Sequence, residues 1–222
     1  MLDLDKLTPE ERATQLGKPE GDLGIALSAE LNRINSRLIP ASYRCLELAA
    51  GMDVLEVGFG NGHTLASLLA QAEGLNYTGI DISQTMVAEA VRFNEAFVTA
   101  GNAAFRLASV EAIPFANASF DRVLSVNVIY FLADPIPALK EIRRVLRPSG
   151  LSVIAGYDPE SVKSAAYAKP ELGFHVRDGA TLAQLHQDAG FRDVEITPYE
   201  EMTMRRDGTP WPRRYHFIAA RP

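Results

Sequence analysis

The sequence predicts an α/β fold: one doubly wound, mostly parallel sheet of seven strands, with helices on both faces and an antiparallel C-terminal hairpin strand. Apolar runs alternate with helical segments from residue 53 onward, a pattern typical of parallel sheets covered on both faces. The run VLEVGFGNG is predicted to be a buried strand that ends in three glycines, as a sharp backbone turn requires. The last two apolar runs are separated only by the turn-rich RRDGTPWPRR, which indicates a hairpin.

Composition narrows the function classes. The 222 residues, 47% hydrophobic and 23% charged, suffice for the core of one α/β domain. The formal net charge of -6 argues against nucleic acid as the main partner. The single Cys45 excludes an internal disulfide framework and a cysteine metal cluster, and we expect no metal site. The lone cysteine, the polar start MLDLDKLTPEER and the lack of an apolar run of membrane-spanning length lead us to expect a cytoplasmic protein with no membrane partner.

The first 50 residues are predicted to form a helical segment. Thr8, Pro9 and Glu11 form a capping-box pattern, which marks the start of a helix. Three glycines and a proline predict a loop over 17–24, and we expect Pro40 to interrupt the helical pattern that follows. The predicted helices cover about 8–16, 25–38 and 41–50.

Residues 51–222 are predicted to form the α/β domain itself. The predicted strands cover 53–57, 77–81, 104–107, 121–126, 151–156, 194–199 and 215–220. The predicted helices cover 64–72, 84–99, 135–146 and 181–188, and an irregular stretch runs from 157 to about 179.

Glycine and polar residues collect where the first, second and fourth predicted strands end. Gly58, Gly60 and Gly62 let the backbone approach a ligand closely, and the helix that follows offers free N–H groups. Asp81 ends the second strand, where a carboxylate can accept hydrogen bonds from both hydroxyls of a ribose. Asn127 ends the fourth strand and is expected to face the crevice in which such sheets bind ligands.

Four segments together resemble the class I S-adenosylmethionine-dependent methyltransferases, particularly the small-molecule (type 11) branch. They are VLEVGFGNGHT, GIDISQTMV, SVEAIPFANASFDRVLSVNVIYFL and EIRRVLRPSGLSVIA, and they cover roughly residues 50–156. The resemblance implies a Rossmann-like fold, S-adenosyl-L-methionine as cofactor, S-adenosyl-L-homocysteine as product and a small-molecule methyl acceptor. In the family, segments such as 1–50 fold over the cofactor as a lid, and an ordinary surface helix is the equally favoured alternative here.

Matching the motifs position by position implies a cofactor-binding set. The first motif would hold the methionine portion, Asp81 the ribose and the residues from Ile82 to Glu111 the adenine, whereas Asn127 would lie at the mouth of the active site. The implied residues are Glu56, Gly58, Gly60, Gly62, Asp81, Ile82, Met86, Ser109, Val110, Glu111 and Asn127. Ser109 stands where the family often has Asp, and a neutral hydroxyl should hold the adenine amine less strongly, although Glu111 could substitute. Glu56 has an equally favoured structural alternative, bonding to loop N–H groups.

Methyl transfer needs no obligatory catalytic side chain, because the cofactor carries an activated leaving group and the protein mainly aligns the reactants. A general base is required only if the acceptor must first lose a proton. The catalytic candidates are Asn127, Tyr130 and His175. Tyr130 could equally be a core aromatic residue, and a solvated loop histidine is the favoured reading of His175.

Two other functions remain open from the sequence. An NAD-dependent oxidoreductase has a similar scaffold, but its G-x-G-x-x-G spacing is not met because position 63 is His. A non-catalytic S-adenosylmethionine-binding partner protein leaves no residue signature to check. The run NVIYF replaces the motif shared by enzymes that methylate nucleic-acid amino groups, which makes nucleic acid an unlikely partner. Oligomerisation stays open.

Arginines flank the predicted hairpin turn. They are Arg205, Arg206, Arg213 and Arg214. We expect a solvated basic hairpin, with recognition of an anionic substrate or partner as the alternative.

Overall fold

A seven-stranded sheet organises the computed structural model, which describes residues 4–205 and 207–222. The strand order is β3-β2-β1-β4-β5-β7-β6. The strands are β1 Asp53–Val57, β2 Asn76–Asp81, β3 Ala103–Leu107, β4 Phe120–Val126, β5 Leu146–Tyr157, β6 Arg192–Met204 and β7 Pro210–Arg221. Strands β1 to β5 pair in parallel, whereas β7 runs antiparallel to both β5 and β6. The predicted fold class and its C-terminal hairpin are therefore confirmed.

Nine α-helices are present in the described ranges. They are α1 Pro9–Gly17, α2 Gly21–Ile34, α3 Leu38–Arg44, α4 Leu65–Leu69, α5 Gln84–Phe93, α6 Glu95–Thr99, α7 Ile136–Val145, α8 Pro159–Val162 and α9 Gly179–Asp188. Chain order reverses around β1, which lies between β2 and β4. Such a switch point opens a crevice at the carboxyl ends of the strands.

Helices cover both faces of the sheet, as predicted. Leu55 and Val123 pack with α7 and α9 in one apolar core. Their chain neighbours Val54 and Leu124 point the other way and pack with α3 and α4 in a second core. This alternation is the period-two pattern of strand side chains, and it explains why buried parallel strands appear as continuous apolar runs.

Several predicted helix starts are confirmed. Thr8 accepts a hydrogen bond from the Glu11 N–H, and the Glu11 carboxylate accepts one from the Thr8 N–H. The Ser83 hydroxyl accepts from the Met86 N–H at the start of α5. These local bonds satisfy backbone donors that a helix leaves without internal partners.

The N-terminal helix boundaries differ from the predictions. Residues 21–24 belong to α2 and not to a loop, because Gly24 allows close packing: a Cβ there would lie 2.6 Å from the carbonyl carbon of Pro19. Pro40 lies in the first turn of α3 and does not interrupt it, since N–H groups of that turn need no internal partner. Helix α3 then ends at Arg44, six residues earlier than predicted.

The predicted helix over 84–99 is divided in two at Asn94. The Asn94 side-chain amide donates to the carbonyl oxygens of Ala90 and Gly62, at 2.9 and 3.0 Å. It thereby ties the end of α5 to the loop after β1. The hairpin strands are longer than predicted, because β6 and β7 pair with each other as far as Met204 and Pro210.

Candidate active site

The loop after β1 has a backbone path that favours glycine. Gly58 and Gly60 have φ of 72° and 60°, in the left-handed region. The Gly58 N–H donates to the Ile80 carbonyl oxygen at 2.8 Å, and a Cβ on Gly58 would lie 2.3 Å from the Val128 Cγ2 atom. The loop is therefore held against both neighbouring strands, with its backbone facing the crevice.

A cavity of about 270 Å³ lies along this crevice. It is lined by all the residues implied for cofactor binding except one. These lining residues are Glu56, Gly58, Gly60, Asp81, Ile82, Met86, Ser109, Val110, Glu111 and Asn127. We call this space the first cavity.

Gly62 is the exception. Its φ is 67°, but a Cβ there would lie 2.8 Å from the Ala90 Cβ and 2.9 Å from the Asn94 side-chain nitrogen. Gly62 therefore permits close packing of the loop against α5, and the structure gives it no place on the wall of the first cavity.

Asp81 joins the glycine loop to the next helix. One carboxylate oxygen accepts from the Gly60 N–H at 3.2 Å and the other from the Ser83 N–H at 2.9 Å. Burial raises the pKa of Asp81 to about 6, while these two hydrogen bonds act in the opposite direction. The carboxylate is thus fixed in orientation at the cavity wall and retains lone pairs for further donors.

Glu56 does not make the loop contacts of its structural alternative. Its carboxylate accepts a hydrogen bond of 2.7 Å from the Tyr77 hydroxyl, and no bond to a loop N–H is found among the described residues. Burial raises the pKa of Glu56 to about 7, and the Tyr77 bond lowers it in part. A buried carboxylate of this kind, on the wall of a cavity, favours a cationic ligand group.

The N-terminal helices form the other wall of the first cavity. Their lining residues are Leu16, Gly17, Pro19, Ser28, Leu31, Asn32, Asn35 and Ile39. The Asn61 side-chain amide donates to the Ser28 hydroxyl at 3.2 Å, and the Gly21 N–H donates to the Thr85 hydroxyl at 3.1 Å. Sequence reasoning overlooked Asn61, although its position between two loop glycines was a signal.

A second cavity of about 490 Å³ adjoins the first. The two share five lining residues, Leu16, Leu31, Asn35, Asn127 and Phe131. Six of the residues around the second cavity are aromatic, namely Tyr130, Phe131, Tyr157, Tyr167, Phe174 and Trp211. They come from distant parts of the chain, and they include Tyr130, one of the catalytic candidates.

The three catalytic candidates occupy different places. Asn127 lies where the cavities meet, with φ of 62°, and its buried side-chain oxygen has no hydrogen-bond partner in the described part of the chain. Tyr130 lines the second cavity, and burial raises its pKa well above the ordinary value, so its phenol stays neutral. His175 lines neither cavity. The backbone N–H of His175 donates to the Tyr130 carbonyl oxygen at 2.6 Å. The neighbouring residue Phe174 lines the second cavity.

Arg213 corrects the expectation of a solvated basic hairpin. It is fully buried and pairs with Glu201 at 3.3 Å. It also donates to the Asn35 side-chain oxygen at 2.9 Å and to the Tyr157 hydroxyl at 2.6 Å. Arg214 is exposed, as predicted. Arg205 lines the second cavity, and Arg206 lies outside the described residues.

The first cavity fits S-adenosylmethionine by the chemistry of the groups that line it. Glycine backbone, a buried Glu56 carboxylate and the oriented Asp81 carboxylate suit an amino-acid tail, a cationic sulfur and a ribose. Within residues 4–205 and 207–222, no His, Cys, Asp or Glu cluster is arranged to hold a metal ion. No helix in those ranges has both the length and the apolar character needed to cross a bilayer.

Comparisons with known proteins agree with this geometry. Residues 55–154 match the family model described as "Methyltransferase domain". O-methyltransferase resE of Aspergillus sclerotiorum is 33% identical over 157 residues, which cover 68% of this chain and 59% of that protein. O-methyltransferase rstn1 of Aspergillus nomiae is 31% identical over 161 residues, covering 68% of this chain and 69% of that protein.

The fold is shared with a solved S-adenosylmethionine-dependent methyltransferase from Aquifex aeolicus. The TM-score is 0.66 at 20% identity, over 98% of this chain and 100% of the other. The chain spans less than two thirds of the length of some curated relatives, resE among them. The family match, the relatives and the fold together establish that the chain belongs to the class I S-adenosylmethionine-dependent methyltransferases.

Proposed function

We propose that this protein is an S-adenosylmethionine-dependent methyltransferase that transfers a methyl group, by in-line displacement, to a hydroxyl of a small-molecule acceptor. The observation that carries the proposal is the junction of two cavities at Asn127: one has the donors for the cofactor, and the other is aromatic. When bound, S-adenosylmethionine supplies a methyl group activated by a sulfonium sulfur.

The chain's own residues would hold the cofactor by complementary charge and hydrogen bonding. The Asp81 carboxylate would accept from the ribose hydroxyls. Glu56 would lie near the cationic sulfur of the cofactor. A negative side chain there is compatible with a sulfonium and would repel a pyrophosphate. Gly58 and Gly60 would let the backbone approach the methionine portion. Gly62 would act indirectly, by seating the loop on α5.

Adenine would occupy the opposite end of the first cavity. Ile82, Met86 and Val110 offer apolar surface there. The Ser109 hydroxyl accepts a hydrogen bond from the Glu111 N–H at 3.2 Å, so Ser109 is held in place while it retains a further lone pair. We infer that Ser109 and Glu111 together replace the aspartate usual in the family.

Asn127 is proposed to orient the acceptor. Its unpartnered oxygen can accept a hydrogen bond from an acceptor O–H, which leaves an oxygen lone pair free to attack. None of the five residues shared by the two cavities titrates, so catalysis would rest on alignment and water exclusion, without a general base at the junction. The relatives named O-methyltransferases support a hydroxyl as the accepting group.

The segment 1–50 is proposed to act as a lid on the domain 51–222. The proposal is supported by the contacts of Pro19 and Ser28 with the first cavity. The Ser83 hydroxyl also donates to the Pro19 carbonyl oxygen. A lid of this kind would exclude water during transfer.

Calorimetry tests the proposed function. We expect S-adenosylmethionine and S-adenosylhomocysteine to bind and NAD not to bind. Asp81→Ala should weaken both ligands by on the order of 100-fold, since two hydrogen bonds to a charged group are lost. Asp188→Ala, on the exposed surface of α9, is the matched control. Binding of NAD alone would identify the oxidoreductase alternative. Cofactor binding without labelled-methyl transfer to any acceptor in a cell extract would identify the non-catalytic alternative.

We also propose a cytoplasmic location. The unpaired Cys45 thiol supports a reducing compartment. Cell fractionation checks this, because recovery in a membrane or secreted fraction would contradict it.

A further inference from the structure

The aromatic residues of the second cavity form a connected wall. The Tyr130 ring stacks on the Phe174 ring, with centroids 5.4 Å apart and an interplanar angle of 14°. The Phe131 and Tyr157 rings flank Tyr130 at 4.7 and 5.7 Å, and the Tyr167 ring meets Phe174 at 5.5 Å. These contacts bury Tyr130 and Phe174, whereas the rings of Phe131, Tyr157 and Tyr167 stay half-buried. Partly accessible aromatic rings suit a planar aromatic ligand, and about 490 Å³ accommodates one or two fused rings.

The same cavity carries two guanidinium groups that make no ion pair within the described ranges. Arg12 donates to the carbonyl oxygen of Leu4, and the Arg205 guanidinium lies 5.0 Å from the Trp211 ring centroid. Arg33, also in the lining, differs because Glu30 binds it at 2.8 Å. Guanidinium groups near an aromatic surface, without a carboxylate partner, suit a carboxylate on a ligand.

Three carboxylates also lie in the lining of this cavity, those of Asp5, Glu30 and Asp207. The Asp207 carboxylate accepts from the Thr209 N–H and hydroxyl, at 2.9 and 2.7 Å, and these bonds lower its pKa. Glu30 binds Arg33. The Arg205 charge also lowers the pKa of Asp207, so the positive potential of Arg205 is partly offset, while the guanidinium N–H groups of Arg205 remain for a ligand.

We propose that the second cavity binds a planar hydroxylated aromatic acid, with the aromatic ring against Phe131 and Tyr157, the carboxylate bound by Arg12 and Arg205, and the hydroxyl directed to Asn127. This inference rests on the proposed function. An oxygen lone pair of the hydroxyl forms the new bond to the methyl carbon, the carbon–sulfur bond breaks, and its electron pair stays on sulfur. The hydroxyl proton passes to solvent, so the products are an aryl methyl ether and a neutral thioether.

The test uses the full chain and three acceptor probes: a hydroxynaphthoate, its methyl ester, and a hydroxycyclohexane carboxylate. Binding of each probe is measured by calorimetry on protein saturated with S-adenosylhomocysteine, and kcat/KM with labelled S-adenosylmethionine. We expect the aromatic acid to bind and react at least tenfold better than either other probe. Arg205→Gln should lower the affinity and the kcat/KM for the aromatic acid about tenfold and leave those for its ester unchanged, because the lost hydrogen bond is charge-assisted.

Arg214→Gln is the matched control, because Arg214 lies on the same hairpin but is exposed and outside both cavities. It should leave the affinity and kcat/KM for the acid and for its ester unchanged. Arg205→Lys should recover part of the preference for the acid. Equal use of the acid and its ester, or an equal loss for both in Arg205→Gln, would overturn the carboxylate assignment. Equal use of the cyclohexane acid would overturn the aromatic one. Binding of S-adenosylhomocysteine without binding of any probe would overturn the acceptor class alone, whereas failure to bind S-adenosylhomocysteine would overturn the proposed function itself.

Discussion

The Tyr77 hydroxyl donates a hydrogen bond of 2.7 Å to the Glu56 carboxylate, and both side chains are buried. Glu56 and Tyr77 lie on the neighbouring strands β1 and β2. Burial raises the pKa of Glu56 to about 7, and the bond from Tyr77 is the contact that favours its charged form. Tyr77 therefore helps to keep a negative charge at the wall of the first cavity near neutral pH.

Tyr77→Phe should weaken S-adenosylmethionine binding at pH 7, because Glu56 would then stay protonated to higher pH. The affinity should recover at pH 8 to 9, which separates a protonation effect from a packing effect. We also expect the free energy of unfolding to fall by about 1–3 kcal/mol, the usual cost of a lost partner for a buried polar group. Calorimetry and urea unfolding measure the two effects. Tyr199→Phe, which removes a 3.3 Å bond to Glu201 and lies in the lining of neither cavity, is the control. A pH-independent loss of affinity in Tyr77→Phe would contradict this role.

Cofactor binding should release protons and strengthen as pH rises from about 5.5 to 7.5. In the ligand-free fold, burial raises the pKa of Asp81 to about 6 and of Glu56 to about 7. A ligand that donates hydroxyls to Asp81 and brings positive charge near Glu56 favours the ionised forms, so both pKa values fall on binding. Calorimetry in two buffers of different ionisation enthalpy measures the released protons. A flat affinity across this range would show that neither carboxylate meets the ligand.

The same two pKa shifts also make the stability of the ligand-free protein depend on pH. In the folded chain both pKa values lie above those of an unfolded chain, which are roughly 4 for each group. At pH values between the unfolded and the folded pKa, the folded chain therefore binds more protons than the unfolded chain. The contribution of these two groups to the free energy of unfolding should therefore decrease as pH rises from about 4 to 7, whereas the contribution of His186, whose pKa burial lowers to about 4, should increase. Denaturant titrations at several pH values should show this decrease shrink in Asp81→Asn, which has no carboxylate to titrate.

The parts of the site that the sequence predicted are local in the chain. The glycine turn, Asp81 and the Ser83 cap lie within about 30 residues, and each follows from backbone needs that one segment expresses by itself. The second cavity could be predicted only in part, through Asn127 and Tyr130. Its lining runs from residue 5 to residue 211, and only the packing of the N-terminal helices beside the hairpin brings these parts together.

The errors in helix bounds have a similar origin. Asn94 breaks a continuous helical pattern because its amide finds partners at both Ala90 and Gly62, the second of which is distant in sequence. Pro40 stopped the predicted helix because proline disrupts interiors, yet its actual position in a first turn depends on where α3 begins. Local propensity fixed the element types, and tertiary contacts fixed several of their ends.

Gly60→Ala should abolish most cofactor binding. It should lower the free energy of unfolding by little more than the usual cost of an alanine in the left-handed region. Gly60 has φ of 60° and lines the first cavity, and its added Cβ would meet no heavy atom of the described residues within 4 Å. Gly101→Ala is a matched control, with φ of 78° and equally open space, but away from both cavities. Both variants should lose about 1–2 kcal/mol of unfolding free energy. Only Gly60→Ala should lose affinity for S-adenosylhomocysteine, and equal affinities for the two variants would place the methionine portion elsewhere.

Arg213 and Arg214 offer a comparison between adjacent cations of the same hairpin. The Arg213 side chain is 0% exposed and its partner Glu201 4%, whereas Arg214 and Glu200 are 56% and 58% exposed. Arg213 also binds the Ile34 carbonyl oxygen at 2.6 Å, which links the hairpin to the end of α2. Loss of Arg213 would leave the Glu201 carboxylate buried without its charge partner.

Arg213→Met should therefore lower the free energy of unfolding by about 3–5 kcal/mol, as expected when one member of a buried ion pair is removed. Arg214→Met should cost less than about 1 kcal/mol, because exposed pairs contribute little. The double variant Arg213→Met with Glu201→Gln should regain part of the loss, since the unpaired charge is gone while the hydrogen bonds to Asn35 and Tyr157 are still missing.

Because Asn35 and Tyr157 line the cavities, the double variant should keep a raised KM for the acceptor even where its fold is restored. Denaturant unfolding and acceptor kinetics measure these effects separately, and a double variant with normal KM would limit Arg213 to a structural role.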